Sequence, residues 1–237
     1  MIFNIKKLSA QERKICLKTI SPKAVFAIVG DAIKNKKSIS VIRMGDGERG
    51  ILKTDKSKQF NLLGKRQKIW DKRLGIGGMP IKDLQKNIIN SGNKCTYFAP
   101  SISGISFSGY NLYNFFKSRP YYFDNFFVND WTKEMIKMLL ESSGGVFIVH
   151  RDYKKIIDNF NKNYNFQNKN LFFGGFPKNN WQDNQQAINE AIKSKAQLIL
   201  FSAGPAGKII GPEIAKARNK IVLDVGNTLI PWSKKRK

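Results

Sequence analysis

Asp46 and Glu48, spaced by glycines in Gly45-Asp46-Gly47-Glu48, close the run Ser38-Ile39-Ser40-Val41-Ile42-Arg43-Met44. Carboxylate oxygens are hard donors that suit Mg²⁺ or Mn²⁺, and glycines let a backbone pass close to a ligand. If Ser38 to Ile42 is a buried strand that breaks into a loop at Gly45, both acids arrive at its C-terminal end. That is the edge where open α/β sheets bind ligands. A cation held there faces a phosphate on its other side. Arg43 could pair with the acids or grip a phosphate bidentately. Two acids on a loop are also common turn chemistry, so the pair needs support from elsewhere in the chain.

The C-terminal third supplies it. The strand Gln197-Leu198-Ile199-Leu200-Phe201 runs into Ser202-Ala203-Gly204-Pro205-Ala206-Gly207-Lys208, then a helix from Ile209 to Ala217 and the strand Ile221-Val222-Leu223-Asp224. A glycine turn that opens a helix after a strand offers backbone N–H groups to an anion. The turn is neither a Walker A loop nor Gly-x-Gly-x-x-Gly. Leu223-Asp224-Val225-Gly226-Asn227-Thr228-Leu229 looks like the nucleophile loop of haloacid-dehalogenase-type phosphatases, but it lies too near the end of the sequence for the remaining motifs to follow. Asp224 is left as a carboxylate at the same edge. His150, the single histidine, ends the strand Val146-Phe147-Ile148-Val149 and could serve as a base, a phosphate contact or an ordinary strand terminus.

The elements that must position these groups alternate. Helices are expected from Ser9 to Thr19, where Ser9-Ala10-Gln11-Glu12 has capping-box spacing, and from Ser21-Pro22 to Ile33. Others are expected over Ile81–Asn90, Asp130–Leu140, Tyr153–Phe160 and Trp181–Ser194, with strands at Lys94–Pro100 and Leu171–Phe173. The glycine-rich stretch between Gly50 and Met79 reads as a long loop or lid. About six strands alternating with helices predict an α/β, Rossmann-like, mostly parallel sheet with flanking helices. One domain over residues 1–237 is expected, with residues 1–35 as a helical extension packed on it.

Composition narrows the class further. Lys and Arg number 42 against 17 Asp and Glu, a formal charge of +25, which draws the chain to polyanions or an anionic membrane surface. No apolar run is long enough to span a membrane and the N-terminus lacks a secretory signal, so a cytoplasmic protein, or one peripheral on the inner face of the membrane, is expected. Cys16 and Cys95 are too few for a disulfide framework and read as buried thiols. The aromatic-dense segment from Phe107 to Leu140, which includes Arg119, could stack on nucleobases or sugars, although aromatics at helical spacing more often form core. A nucleic-acid-binding protein and a phosphohydrolase using Asp46 or Asp224 are the competing readings.

Three blocks in order, Val41-Ile42-Arg43-Met44-Gly45-Asp46-Gly47-Glu48, Ser118-Arg119-Pro120-Tyr121, and Leu198 to Ala206 leading to Leu223-Asp224-Val225-Gly226, resemble the bacterial GT-D-type glycosyltransferases. The resemblance implies a GT-D-like fold and transfer of sugar from a nucleotide sugar during assembly of glycans on proteins or cell-surface polymers. It places Asp46 and Glu48 on a divalent metal, Mn²⁺ or Mg²⁺, and on the donor diphosphate. Arg43, Gly45, Gly47, Arg119, Gly204, Pro205, Ala206 and Lys208 would line the nucleotide-sugar site. The donor expected is a UDP-sugar and the acceptor a glycan, glycoprotein or lipid-linked sugar; nucleic acid is not expected as a partner. An inverting reaction would need a base, for which His150, Asp183 and Asp224 are the candidates. Asn227 departs from the family, which often has histidine after Asp-Ile/Val-Gly.

Overall fold

The computed structural model describes residues 10–52, 79–102 and 115–234, with the side chains of residues 11, 12 and 46 excepted. The stretch read as a lid and the aromatics Tyr110 and Tyr113 therefore fall largely or wholly outside the described residues.

Six parallel strands form one sheet in the order β2-β1-β6-β5-β3-β4: β1 Ile39–Met44, β2 Tyr97–Pro100, β3 Val146–Val149, β4 Phe172–Phe176, β5 Leu198–Phe201 and β6 Ile221–Asp224. All five pairings are parallel, where a mostly parallel sheet was expected. Parallel strands buried on both faces read as continuous apolar runs, which is why Val146–Val149, Leu198–Phe201 and Ile221–Asp224 were recognisable. The register sets Val41 opposite both Tyr97 and Leu223, and Phe201 opposite Asp224. The C-terminal ends of β1, β6 and β5 therefore lie side by side in the middle of the sheet.

Helices cover both faces. On one side pack α2 (Pro22–Lys34), α5 (Lys133–Ser142), α6 (Tyr153–Asn163) and α9 (Leu229–Ser233), burying Val25, Val29, Ile136, Leu139, Ile156, Phe160 and Trp232 against Val41, Ile148, Leu200 and Leu223. On the other pack α3 (Asp46–Leu52), α4 (Ile81–Lys94), α7 (Asn184–Lys193) and α8 (Ile210–Ile214), burying Ile51, Leu84, Ile88, Ala187 and Ile214 against Ile42, Met44, Phe147 and Phe201. Side chains two apart on one strand share a face, so Ile42 and Met44 serve one layer and Ile39 and Val41 the other.

Local rules account for the helix starts. Ser21 accepts a hydrogen bond from the Ala24 N–H at 3.2 Å and Pro22 fills the first helical position. Thr132 does the same for Met135 N–H, so α5 begins at Lys133 and not at Asp130 as expected. Helix α2, read as part of an N-terminal extension, supplies buried residues to one of the two main helical layers. Helix α1 (Ala10–Leu17) contributes Ile15 to the core on the opposite face.

The aromatic segment is core. Phe116, Tyr122, Phe123, Phe127 and Trp131 are all buried, and Trp131 stacks on Trp232 with centroids 5.6 Å apart. That removes these five as a platform for stacked bases, while Phe126 is exposed and Phe115 and Tyr121 are half-buried. Cys95 is buried, and burial pushes its thiol up to about 12, whereas Cys16 is only half-buried.

Arg119 belongs to this framework. Its Nη2 donates to the carbonyls of Gly92 at 2.7 Å and Asn93 at 3.1 Å, in the last turn of α4. A guanidinium there satisfies orphan carbonyls and complements the negative helix end. Since α4 leads into the start of β2, Arg119 lies at the N-terminal edge of the sheet, away from the strand ends that carry Glu48 and Asp224. Arg119→Met is expected to cost about 1–3 kcal/mol in chemical denaturation with no loss of ligand binding at the other edge.

Candidate functional site

The acidic pair opens a helix. Strand β1 runs on to Met44 and α3 begins directly at Asp46, so the loop expected at Gly45–Glu48 is in fact a strand-to-helix corner. Glu48 turns back and accepts the Gly45 N–H through Oε2 at 2.8 Å, half of a capping box. Gly45 allows a close approach, whereas a side chain at Gly47 would meet its neighbour at ordinary contact distance. A Cβ on Gly45 would lie 3.1 Å from Asn125 Nδ2, and one on Gly47 would lie 3.7 Å from Pro205 Cγ. The second distance joins the first motif to the Gly204-Pro205-Ala206 turn, some 160 residues later in sequence, at one edge.

Three charges meet between them. Lys208 Nζ lies 2.5 Å from Asp224 Oδ2 and 3.3 Å from Glu48 Oε1, and all three residues are buried. Burial pulls the Lys208 amine down, but Asp224 and Glu48 outweigh it and raise it above its ordinary value. A lysine raised in the fold keeps its charge, and its stabilising contribution, at every pH below its unfolded value, so Lys208 stays charged through the physiological range. Asp224 Oδ2 also accepts the Arg43 N–H at 3.2 Å, and Oδ1 accepts the Gly226 N–H at 3.2 Å.

Arg43 closes the cluster from below. Its Nε donates to Asn125 O at 2.6 Å and Asn125 Oδ1 at 2.9 Å, and Nη1 donates to Val225 O at 2.5 Å. Gly226, at φ +50°, makes room for it: a Cβ there would stand 3.0 Å from Arg43 Nη1. The Asp224-Val225-Gly226 sequence therefore pairs an acid that holds Lys208 with a glycine that admits Arg43. Burial lowers the guanidinium pKa, opposed by Asp224, Glu48 and Asp124.

The turn after β5 takes its shape from Gly204, at φ +63°, and a 3-10 turn over Pro205–Gly207. The Gly207 N–H bonds to Gly204 O at 3.1 Å and the Lys208 N–H to Pro205 O at 3.3 Å, so these two amides are spent inside the turn. The following helix, α8, is five residues long, shorter than the Ile209–Ala217 expected. What the turn delivers to the site is the Lys208 ammonium.

The base candidates are placed as follows. His150, half-buried, ends β3 and its Nδ1 accepts the Asp152 N–H at 2.9 Å; burial lowers its pKa, with Asp152 opposing and Arg151 reinforcing. Two strands, β5 and β6, separate β3 from β1. Asp183 Oδ2 accepts the N–H groups of Asn179 at 2.7 Å and Asn180 at 2.9 Å, holding the loop after β4. Asp224 is engaged by Lys208 and two backbone amides.

Asn125 and Lys178 were missed in the sequence. Asp124 and Asn125 form a buried polar pair inside an aromatic run, which was the available signal. Lys178 lies just beyond β4, at the same C-terminal edge as the other groups, and is 5% exposed.

Asp46 and Glu48 stand at the first and third positions of α3. Glu48 Oε1 is the more weakly held partner of Lys208. Among the described residues no group of three His, Cys, Asp or Glu side chains could hold a metal. Glu48 Oε1, which faces Lys208 at 3.3 Å, could contribute one ligand to a cation that takes its others from phosphate and water.

No protein-family model matches this chain, and no curated protein sequence matches it. Among solved structures, the chain is similar to one reported as showing that the highly conserved domain of unknown function 1792 has a distinct glycosyltransferase fold. The two share a TM-score of 0.55 and 15% sequence identity, over 93% of this chain and 84% of that one. At that identity the likeness is one of fold: the six-stranded parallel sheet with helices on both faces has a glycosyltransferase-fold neighbour.

Proposed function

We propose that this protein is a glycosyltransferase that takes a sugar from a nucleoside-diphosphate donor, UDP-linked, and passes it to a hydroxyl of a glycan, glycoprotein or lipid-linked acceptor. The observation that carries the reading is the meeting of Glu48, Lys208 and Asp224, from three separate strand ends, at the C-terminal edge of the sheet. That edge is where parallel α/β sheets take their ligands. The glycosyltransferase fold of the structural neighbour supports the same class.

Asp46 and Glu48 would hold a divalent cation, Mn²⁺ or Mg²⁺, which when bound neutralises charge on the departing diphosphate. Lys208 supplies a fixed positive charge beside it, held in place by Asp224. Charges oriented before the reaction need no reorganisation during it. Arg43 ties the ends of β1 and β6 to Asn125, fixing the floor on which Glu48 and Asp224 stand. A hydrolase acting through Asp224 would need a free carboxylate nucleophile, and Asp224 is engaged at both oxygens. Among the described residues no helix is long and apolar enough to cross a membrane. A cytoplasmic or membrane-peripheral site of action remains part of the proposal, the excess of basic residues favouring an anionic surface.

Thermal-shift measurements across UDP-, GDP-, TDP- and CDP-sugars with and without Mn²⁺ test the donor. A ligand that binds the native state alone raises the melting temperature by mass action. The expected result is a metal-dependent rise with UDP-sugars; no shift with any donor contradicts the reading.

A further inference from the structure

Three lysines are buried among the described residues, and they are satisfied in three different ways. Lys208 has two carboxylates. Lys220 donates to the carbonyls of Ser194 and Ala196, both at 2.7 Å, at the end of α7. Lys178 has neither arrangement: its Nζ donates to Asn180 O, and no carboxylate of the described residues lies within ion-pair distance of it. An ammonium carries three donors, and a buried charge without a counter-ion is costly. Burial pulls the Lys178 amine down to about 8 against the opposing charge of Asp183. Asp183 itself is occupied by the backbone amides of Asn179 and Asn180.

The position of Lys178 gives this arrangement a purpose. A Cβ on Gly207 would stand 3.0 Å from Lys178 Cε and would also collide with Ala203 Cβ, so Lys178 is packed directly on the turn after β5. Asn184 Nδ2 donates to Ala206 O at 2.8 Å and fixes the start of α7 to the same turn. Gly47 meets this turn at Pro205 and Glu48 meets its end at Lys208, while Lys178 meets it at Gly207. We propose that Lys178, packed on the Gly204–Gly207 turn, binds a phosphate of the donor's diphosphate, with that phosphate as the counter-ion Lys178 lacks. The proposal rests on the nucleotide-sugar reading and adds a binding residue to it.

The test uses the whole protein at pH 7 and measures thermal shift and calorimetric binding of UDP, inorganic pyrophosphate and uridine to wild type, Lys178→Met and Lys178→Arg. Lys178→Met is expected to raise the melting temperature of the unliganded protein, since it removes an uncompensated buried charge. It should also weaken UDP and pyrophosphate binding at least tenfold, with Lys178→Arg staying within a few-fold of wild type. Uridine, which has no phosphate, should not distinguish the three proteins. Lys178→Met protein that binds both phosphate ligands as tightly as wild type overturns the Lys178 phosphate contact alone, and a fall in its unliganded melting temperature assigns Lys178 a structural role and overturns it too. Wild type that binds neither ligand overturns the nucleotide-sugar reading, and the phosphate contact with it.

Discussion

Replacing Glu48 with glutamine is expected to lower donor turnover by roughly 10²–10³-fold, the usual cost of one preorganised electrostatic group in an active site. The fold should survive. Glutamine keeps a carbonyl oxygen for the Gly45 N–H, so the start of α3 holds, and Lys208 keeps Asp224 as its nearer partner. What disappears is the charge at Oε1, through which Glu48 is proposed to hold a cation. The same mutant should lose most of the Mn²⁺ dependence of donor binding, read as a loss of the metal-dependent thermal shift with an unchanged melting temperature for the unliganded protein.

The largest effect on stability is expected at Asp224. Asp224→Ala leaves the buried Lys208 with a single carboxylate at 3.3 Å and deprives the Arg43 and Gly226 amides of their acceptor. Removing one partner of a buried ion pair costs about 3–5 kcal/mol, more than the pair itself contributes, because the remaining charge is stranded. Urea denaturation should show that loss in the midpoint with little change in slope. The comparison with the triple variant Asp224→Asn, Lys208→Met and Glu48→Gln separates the two terms, because Lys208→Met without Glu48→Gln would strand Glu48 in turn. With all three charges gone the stranded-charge penalty goes too, so the triple mutant should be more stable than Asp224→Ala; if it is less stable, the cost lies in packing and not in charge.

Lys178 predicts a pH dependence of opposite sign to that of Lys208. Its folded value, about 8, lies below the ordinary 10.5, so the penalty for burying it is fully present below pH 8 and relieved as pH rises toward 10.5. A displacement of that size corresponds to roughly 3 kcal/mol. The stability advantage of Lys178→Met over wild type should therefore shrink between pH 7 and pH 10, measured by denaturant midpoint.

The sheet was legible in the sequence because buried parallel strands announce themselves as short apolar runs, and Ile39–Met44, Val146–Val149, Leu198–Phe201 and Ile221–Asp224 all do. The corner at Gly45 was not. Glycine disfavours helix interiors, so two glycines two apart read as a loop. Here Gly45 admits Asn125, a neighbour distant in sequence, and Glu48 caps the Gly45 N–H, so tertiary contact and capping override propensity. Asp46, Glu48, Lys208 and Asp224 were all chosen for their place at strand ends, and of these Glu48, Lys208 and Asp224 are seen in one cluster. What could not be read was the internal pairing. A sequence does not say that Lys208 lies between Glu48 and Asp224, or that the Arg43 guanidinium turns to Asn125 and Val225. Arg119 was chosen from a block of similarity and from aromatic neighbours, and neither criterion distinguishes one edge of a sheet from the other.

Nucleotide release measured directly decides the central claim. Incubation of wild type and Glu48→Gln with a UDP-sugar over a Mn²⁺ titration should show UDP release by wild type that rises with metal and is stimulated by a glycan acceptor, and release by the mutant reduced by roughly 10²–10³-fold. Equal release by both proteins, or no release by wild type from any nucleotide sugar at saturating metal and acceptor, would contradict it.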